Sequence, residues 1–391
     1  PISIIIFYIY PSSLTNESVH CYRLAKASSP KLSAFFSTLI FRIRSCLSAT
    51  AVAFSFCFLL YFSEFEVASI LGIKRWTVQL FDAQVGGIAL KESVISTIPV
   101  LLCELIVLAI TLIVLLRSKP HFEKQHSTVS PNKLRTFFSY AYLIIAFTIV
   151  SVIPALIAGH GAVKGITILL DKFVLLKEII ASILFAATSC CATYITVKWL
   201  YTRFAAKQKG SWLFLTLLLT ITTISLLGAL LISILILTLF QTTVLKIFYD
   251  SPLTLFSALC LLTVPFALLM QILFHGSRNT ESLHLAELLK KSVNPVLKSQ
   301  ARRLIWQIRT RKQFLVIFLL FCIGYFDMTA SSILAPSSMP LASARLYNLT
   351  HYGQSAVLSA MVFVTFTIPF LIALFIISFG SLFELIRFRK L

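Results

Sequence analysis

HGSRNTESLHLAELLKKSVNPVLKSQARRLIWQIRTRK, His275–Lys312, is a long polar interruption between two apolar runs. It carries nine Lys/Arg, from Arg278 to Lys312, against only Glu281 and Glu287. The runs on either side, about 253–274 and 313–334, have the roughly 20-residue length a helix needs to cross a bilayer. A segment of this kind is a membrane-surface loop, and its neighbours decide the fold class. At 391 residues, 58% hydrophobic and 12% charged, the chain excludes an ordinary soluble domain. The net charge of +20 sits in short loops between apolar runs, so nucleic acid is not the expected partner.

The expected fold is all-α and polytopic, with about eight complete transmembrane helices. They fall at about 45–63, 93–116, 137–158, 176–197, 212–240, 253–274, 313–334 and 354–380. PISIIIFYIY at the start is too short to span and reads as the tail of a further helix whose beginning is missing. The segments 11–44, 117–136, 198–211, 275–312 and 381–391 together hold 26 of the 34 Lys/Arg. The acids show no such bias. That asymmetry predicts a cell-membrane protein with these segments and the C-terminus in the cytoplasm. The linker is 117–136, RSKPHFEKQHSTVSPNKLRT, which separates a first half (1–116) from a second (137–391).

The polar stretch has a worn copy. Leu39-Ile40-Phe41-Arg42-Ile43-Arg44 matches Leu304-Ile305-Trp306-Gln307-Ile308-Arg309. Each hexapeptide leads into an apolar run with a cysteine at the same offset, Cys57 and Cys322. Each run then ends in Tyr-Phe and an acid: Tyr61-Phe62-Ser63-Glu64, and Tyr325-Phe326-Asp327. Similarity that continues through a loop, a span and the far end indicates a parallel duplication, as in many transporters.

These residues resemble the inner-membrane permeases of binding-protein-dependent ABC importers, closest to the fused, two-half permeases of the ferric-iron type. SEFEVASILGIKRWTVQLFDA (63–83) is similar to the outer segment of a first half. DMTASSILAPSSMPLASARLYNLTHYGQSAVLSA (327–360) is similar to that of a second half, above all at Ala344–Tyr347 and His351–Gly353. The resemblance implies a type I permease fold, a pair of cytoplasmic ATPase subunits and an external solute-binding protein as partners. It implies no cofactor and no nucleotide chemistry in the chain itself. It also implies that two cytoplasmic loops dock on the ATPases. In the first loop the positions are Tyr22, Ser28, Phe41 and Arg44; in the second they are Glu287, Val293, Trp306 and Arg309. Only Glu287 keeps the family's residue. Both loops lack the glycine that turns the family's loop, at Ser28 and Val293.

From the residues alone, 284–309 reads as an amphipathic helix beneath the membrane, with Leu285, Leu288, Leu289, Val293 and Val296 on one face and Pro295 breaking it midway. An interfacial helix on anionic headgroups is the competing reading. Glu104 and Asp327 are the candidate path residues, because a carboxylate inside a span is costly. Each also has a plain reading, Glu104 as an interhelical contact and Asp327 as a helix-end residue. The eight cysteines have no ligand spacing, and no phosphate loop or catalytic triad pattern is present. An ion-coupled secondary carrier, a membrane enzyme and a degenerate, non-transporting permease complete the set of readings.

Overall fold

A computed structural model describes residues 2–9, 21–22, 24, 31–117, 133–172, 175–205, 211–276, 280–292, 294–351 and 355–388. Among the described residues all regular structure is helical. Five helices are long and apolar enough to cross a membrane: Leu90–Leu115, Tyr140–Leu170, Leu176–Phe204, Pro252–Phe274 and Ser355–Ile372. A sixth is reached if one sharply bent pair is taken as a single span.

The first half opens with α1 (Ile2–Ile9), which packs on α2 (Lys31–Phe62). The short α3 (Glu66–Ile70) and ten-residue α4 (Trp76–Val85) follow, then α5 (Leu90–Arg117). Only Leu47–Phe62 of α2 forms its apolar part. The last carbonyls of α2 have no intrahelical partners. Arg75 Nη1 donates to Tyr61 O at 3.0 Å and Trp76 Nε1 to Phe62 O at 2.8 Å, which fixes α4 across the end of α2.

In the second half α6 (Lys133–Phe147) continues through a π turn at Thr148–Val152 into α7 (Ile153–Lys172). Pro154 supplies the cause: it lacks an N–H and its ring crowds the preceding carbonyls. The chain continues through α8 (Leu175–Ala205), α9 (Ser211–Ser225), α10 (Gly228–Phe240) and α11 (Pro252–Gly276). It ends with α12 (Thr280–Lys290), α13 (Pro295–Ile305), α14 (Arg311–Tyr325), α15 (Thr329–Leu334), α16 (Ala342–His351) and α17 (Ser355–Phe388). A π turn at Trp306–Thr310 joins α13 to α14.

The hub is α11, which packs on α8, α9, α10, α14 and α15 of its own half and reaches α2 and α5 of the other. Its consecutive residues Ala267, Leu268, Leu269 and Met270 are all buried, as expected of a helix apolar on every face. Away from the hub, α7 lies along α17. There Gly161 and Gly165 let the backbones approach, since a Cβ on Gly165 would meet Ala356 O at 2.0 Å.

Three expected spans are corrected. The run 212–240 is not one helix: α9 and α10 meet at 103°. Gly228, at φ +80°, makes the turn, a backbone region that costs residues with a Cβ dearly. The run 313–334 stops at Tyr325, so Asp327 lies beyond the end of α14 and not within a span. The run 45–63 is the apolar end of a 32-residue helix that begins at Lys31. Most of the linker 117–136 lies outside the described residues.

Candidate functional site

The duplicated sequence is matched by duplicated elements. In the first half a long helix (α2) is followed by a five-residue helix, a ten-residue helix and a long helix (α5). In the second, the continuous run 295–325 is followed by a six-residue helix, a ten-residue helix and α17. Where the ends of the two leading helices come together, they line a cavity of about 540 Å³.

One wall of that cavity holds Ser63, Glu64 and Glu66 from the first half. Asp327 and Thr329 from the second also line it, next to Glu66, and Phe266 and Phe318 belong to its apolar body. Glu64 Oε1 accepts from the Val67 amide at 2.6 Å, and Asp327 Oδ2 accepts from the Ala330 amide at 2.9 Å. Each acid therefore bonds the N–H three residues on and caps the short helix after it, so the repeats keep function as well as spelling. Burial holds the Glu64 carboxyl above its ordinary value; the Val67 amide opposes this and the neighbouring Glu66 adds to it.

Glu66 joins the halves. Its Oε1 accepts from the Thr329 amide at 2.9 Å and from the Thr329 hydroxyl. The three acids do not form a ligand cage: among the described residues no group of three His, Cys, Asp or Glu is arranged to hold a metal ion. What they offer is a set of carboxyl groups on the lining of a mostly apolar cavity.

Glu104 lies apart from this cavity. It is on α5, 1% exposed, with Oε1 buried and without a hydrogen-bond partner. Ser55 Oγ on α2, both amide atoms of Gln271 on α11 and Gln313 Nε2 on α14 are buried in the same condition. These helices share one hydrophobic core, so unsatisfied polar atoms collect where the halves meet.

At the basic stretch the structure divides the expected amphipathic helix in two. α12 and α13 pack against each other, and their fully buried residues Ala286 and Ala301 are small enough for a close approach. No glycine is needed for the turn. Asn294 Oδ1 accepts from the Val296 amide at 2.9 Å, and Pro295 takes the first helical position, where its missing N–H is harmless. Leu285, Leu288, Val296 and Leu297 stay exposed among Lys290, Lys291 and Lys298.

Of the expected docking residues, Glu287 is exposed on α12, while Trp306 and Arg309 are half-buried in the π turn below α13. In the first loop Tyr22 stacks on Phe41, with ring centroids 4.3 Å apart and planes within 8°, and the Tyr22 hydroxyl lies 3.2 Å from Ser37 Oγ. Arg44 is within α2. Ser28 and Val293 lie outside the described residues.

Sequence reasoning missed two features. Glu66 has no counterpart in the repeat that would single it out, although it sits two residues from Glu64. Glu178 was also missed. It is buried at the start of α8, where its carboxylate takes a forked ion pair from Arg345 (2.6 and 3.4 Å) while Ser182 Oγ accepts from the Ala342 amide at 2.9 Å. An acid inside an apolar run is itself the signal to look for a partner, which Glu178 has and Glu104 lacks.

Among the described residues the chain is thus all-helical, with several helices long and apolar enough to cross a membrane. No family model matches it, and no curated protein does.

Proposed function

We propose that this chain is the membrane permease subunit of an ATP-driven ABC importer, with its solute path between the two repeats. The observation that carries the proposal is that two similar runs of helices contribute to one cavity, whose lining includes Glu64 and Asp327, each bonded to the amide three residues on. The basic loops and C-terminus face the cytoplasm on this reading, and the acidic mouth faces the solute-binding protein. The sign of that mouth suits a cationic cargo, and ferric iron, which the family resemblance implies, is the first to test.

The α12–α13 hairpin is the coupling element for a cytoplasmic ATPase. It presents exposed leucine and valine amid lysines, a mixture that suits a cleft in a soluble partner. In the first half, Tyr22 stacks on Phe41 of α2. In the second loop Asn294 caps the helix that follows, with Pro295 at its first position.

The test is co-purification of the protein with an ABC ATPase from the same genome, followed by uptake in proteoliposomes. ATP-dependent uptake that is lost on removing the ATPase is expected. A protein that purifies alone and transports without ATP would overturn the reading.

A second reading, an ion-coupled carrier, is favoured by one observation: Glu104 is buried and unpartnered between the halves. Uptake abolished by collapsing the proton gradient, and indifferent to ATP, distinguishes it.

A further inference from the structure

On the face of the second half, α8, the start of α11 and the loop at Met339-Pro340 enclose an open groove of about 1100 Å³. Its surface is almost wholly apolar. The two hydroxyls on it are spent locally: Thr188 Oγ1 donates to Leu184 O at 2.6 Å and Ser251 Oγ to Phe248 O at 2.6 Å. The groove is held by polar clasps outside it. Asp250 accepts from the Ser337 amide at 3.0 Å and its hydroxyl at 2.6 Å, which ties together the two loops that supply Phe248 and Met339. The Glu178–Arg345 pair and the Ser182–Ala342 bond fix the segment after Pro340 on the far side of α8. These walls are pinned, so the groove is a built feature and not a gap between mobile side chains.

Its length and charge indicate the occupant. From Leu176 to Thr188 the lining residues climb α8 by about 18 Å at 1.5 Å per residue. One leaflet of hydrocarbon is roughly 15 Å deep. The charged residue on the lining, Lys177, is exposed and is the second residue of the apolar stretch Leu176–Phe204, the end at which a spanning helix would meet water. We infer that this groove binds one anionic phospholipid, its acyl chains along Ile180, Leu184 and Phe256 and its phosphate against Lys177. The site is independent of the solute path, which lies between the repeats.

The test uses the full chain in mild detergent, equilibrated with vesicles of phosphatidylglycerol or phosphatidylcholine with identical chains and read by native mass spectrometry. The expected result is one retained lipid per chain, with phosphatidylglycerol preferred by about fivefold, the contribution of one basic residue at a headgroup. Lys177→Gln brings the preference close to one while total retention stays. Leu184→Trp, a lipid-facing change that fills the groove, removes both lipids. Equal retention of the two lipids by the unmodified chain overturns the proposal. So does an adduct with the mass of a second copy of the chain, or undiminished lipid on a folded Leu184→Trp variant. Should that variant fail to fold, the Lys177→Gln comparison decides alone.

Discussion

Replacing Gly165 with alanine adds one methyl group at the tightest point between α7 and α17. The new Cβ would lie 2.0 Å from Ala356 O and 2.5 Å from Ala356 C, against an ordinary contact distance of 3.4–4 Å. The obstacle is backbone, so no rotamer change relieves it, and the helices must part by about 1.4 Å to restore contact at 3.4 Å. Overpacking of this kind costs about 1–3 kcal/mol, and the size of the displacement puts Gly165→Ala near the top of that range. Alanine returns up to about 1 kcal/mol through helix propensity, leaving a net loss of about 2 kcal/mol. Gly161 provides the control. Its Cβ would strike Ser359 Cβ and Oγ at 2.5 Å, a side chain that can be removed. Thermal unfolding in detergent should therefore show both single alanine variants destabilised. Ser359→Gly should rescue Gly161→Ala, and Ala356→Gly should fail to rescue Gly165→Ala. A Gly165→Ala protein that melts with the wild type, or is rescued at Ala356, would refute the close backbone approach.

Arg345→Met leaves the carboxylate of Glu178, 2% exposed, without its counter-charge, and should cost about 3–5 kcal/mol, whereas adding Glu178→Gln should restore much of it. The double-mutant cycle in the same melt is the check. Asn294→Ala removes the cap of α13 and should weaken the hairpin by about 1 kcal/mol, seen as faster amide exchange in 296–299 with little change elsewhere. The Ser337 hydroxyl first, then its amide, hold the Asp250 carboxyl below its ordinary 3.8. A depressed carboxylate stabilises its clasp above the unfolded value and loses that effect as pH falls through the lowered one. Exchange at the Ser337 amide should therefore be flat from neutral pH down to 3.8 after correction for intrinsic rates and accelerate below it, and Asp250→Asn should abolish that acid step. Glu66→Gln should loosen the tie between the halves at Thr329, read as a larger distance change between labels on α3 and α15 during turnover.

Much of the architecture was legible because apolar length is a local property. The five qualifying helices all lie within or around expected spans, and α5 and α11 match within a few residues. What escaped was set by single backbone positions or by tertiary partners. The 29 residues from 212 to 240 carry no charge, and hydropathy does not register that Gly228 takes a positive φ and turns the chain by 103°. Tyr325-Phe326-Asp327 reads equally well as the outer third of a span or as its end. The bond from Ala330 N to Asp327, which depends on the fold of α15, decides for the end. In the basic stretch, Pro295 announced a break, but the residue that makes the turn work is its neighbour Asn294. The site was legible in part for the same reason. The repeat flagged Glu64 and Asp327 as equivalents, while the Glu66–Thr329 tie joins residues 263 positions apart and has no sequence pattern of its own.

The same comparison bears on how the proposed coupling would travel. From Pro295 to Tyr325 the chain is helical without interruption, α13, the π turn and α14 in sequence, which at 1.5 Å per residue is a rod of about 46 Å. One end belongs to the hairpin; the other delivers Asp327 and Thr329 to the cavity rim. A displacement of the hairpin would thus reach the rim through a single element, with Glu66 passing it to the first half. The π turn holds Trp306 and Arg309, two of the positions the family resemblance assigns to ATPase docking. A widened turn is the place in such a rod where register can slip without breaking the helix. In the first half the run from Lys31 to Phe62 is an α-helix without that turn. The two halves would therefore answer the same push differently, the first rigidly and the second with slack at Trp306–Thr310.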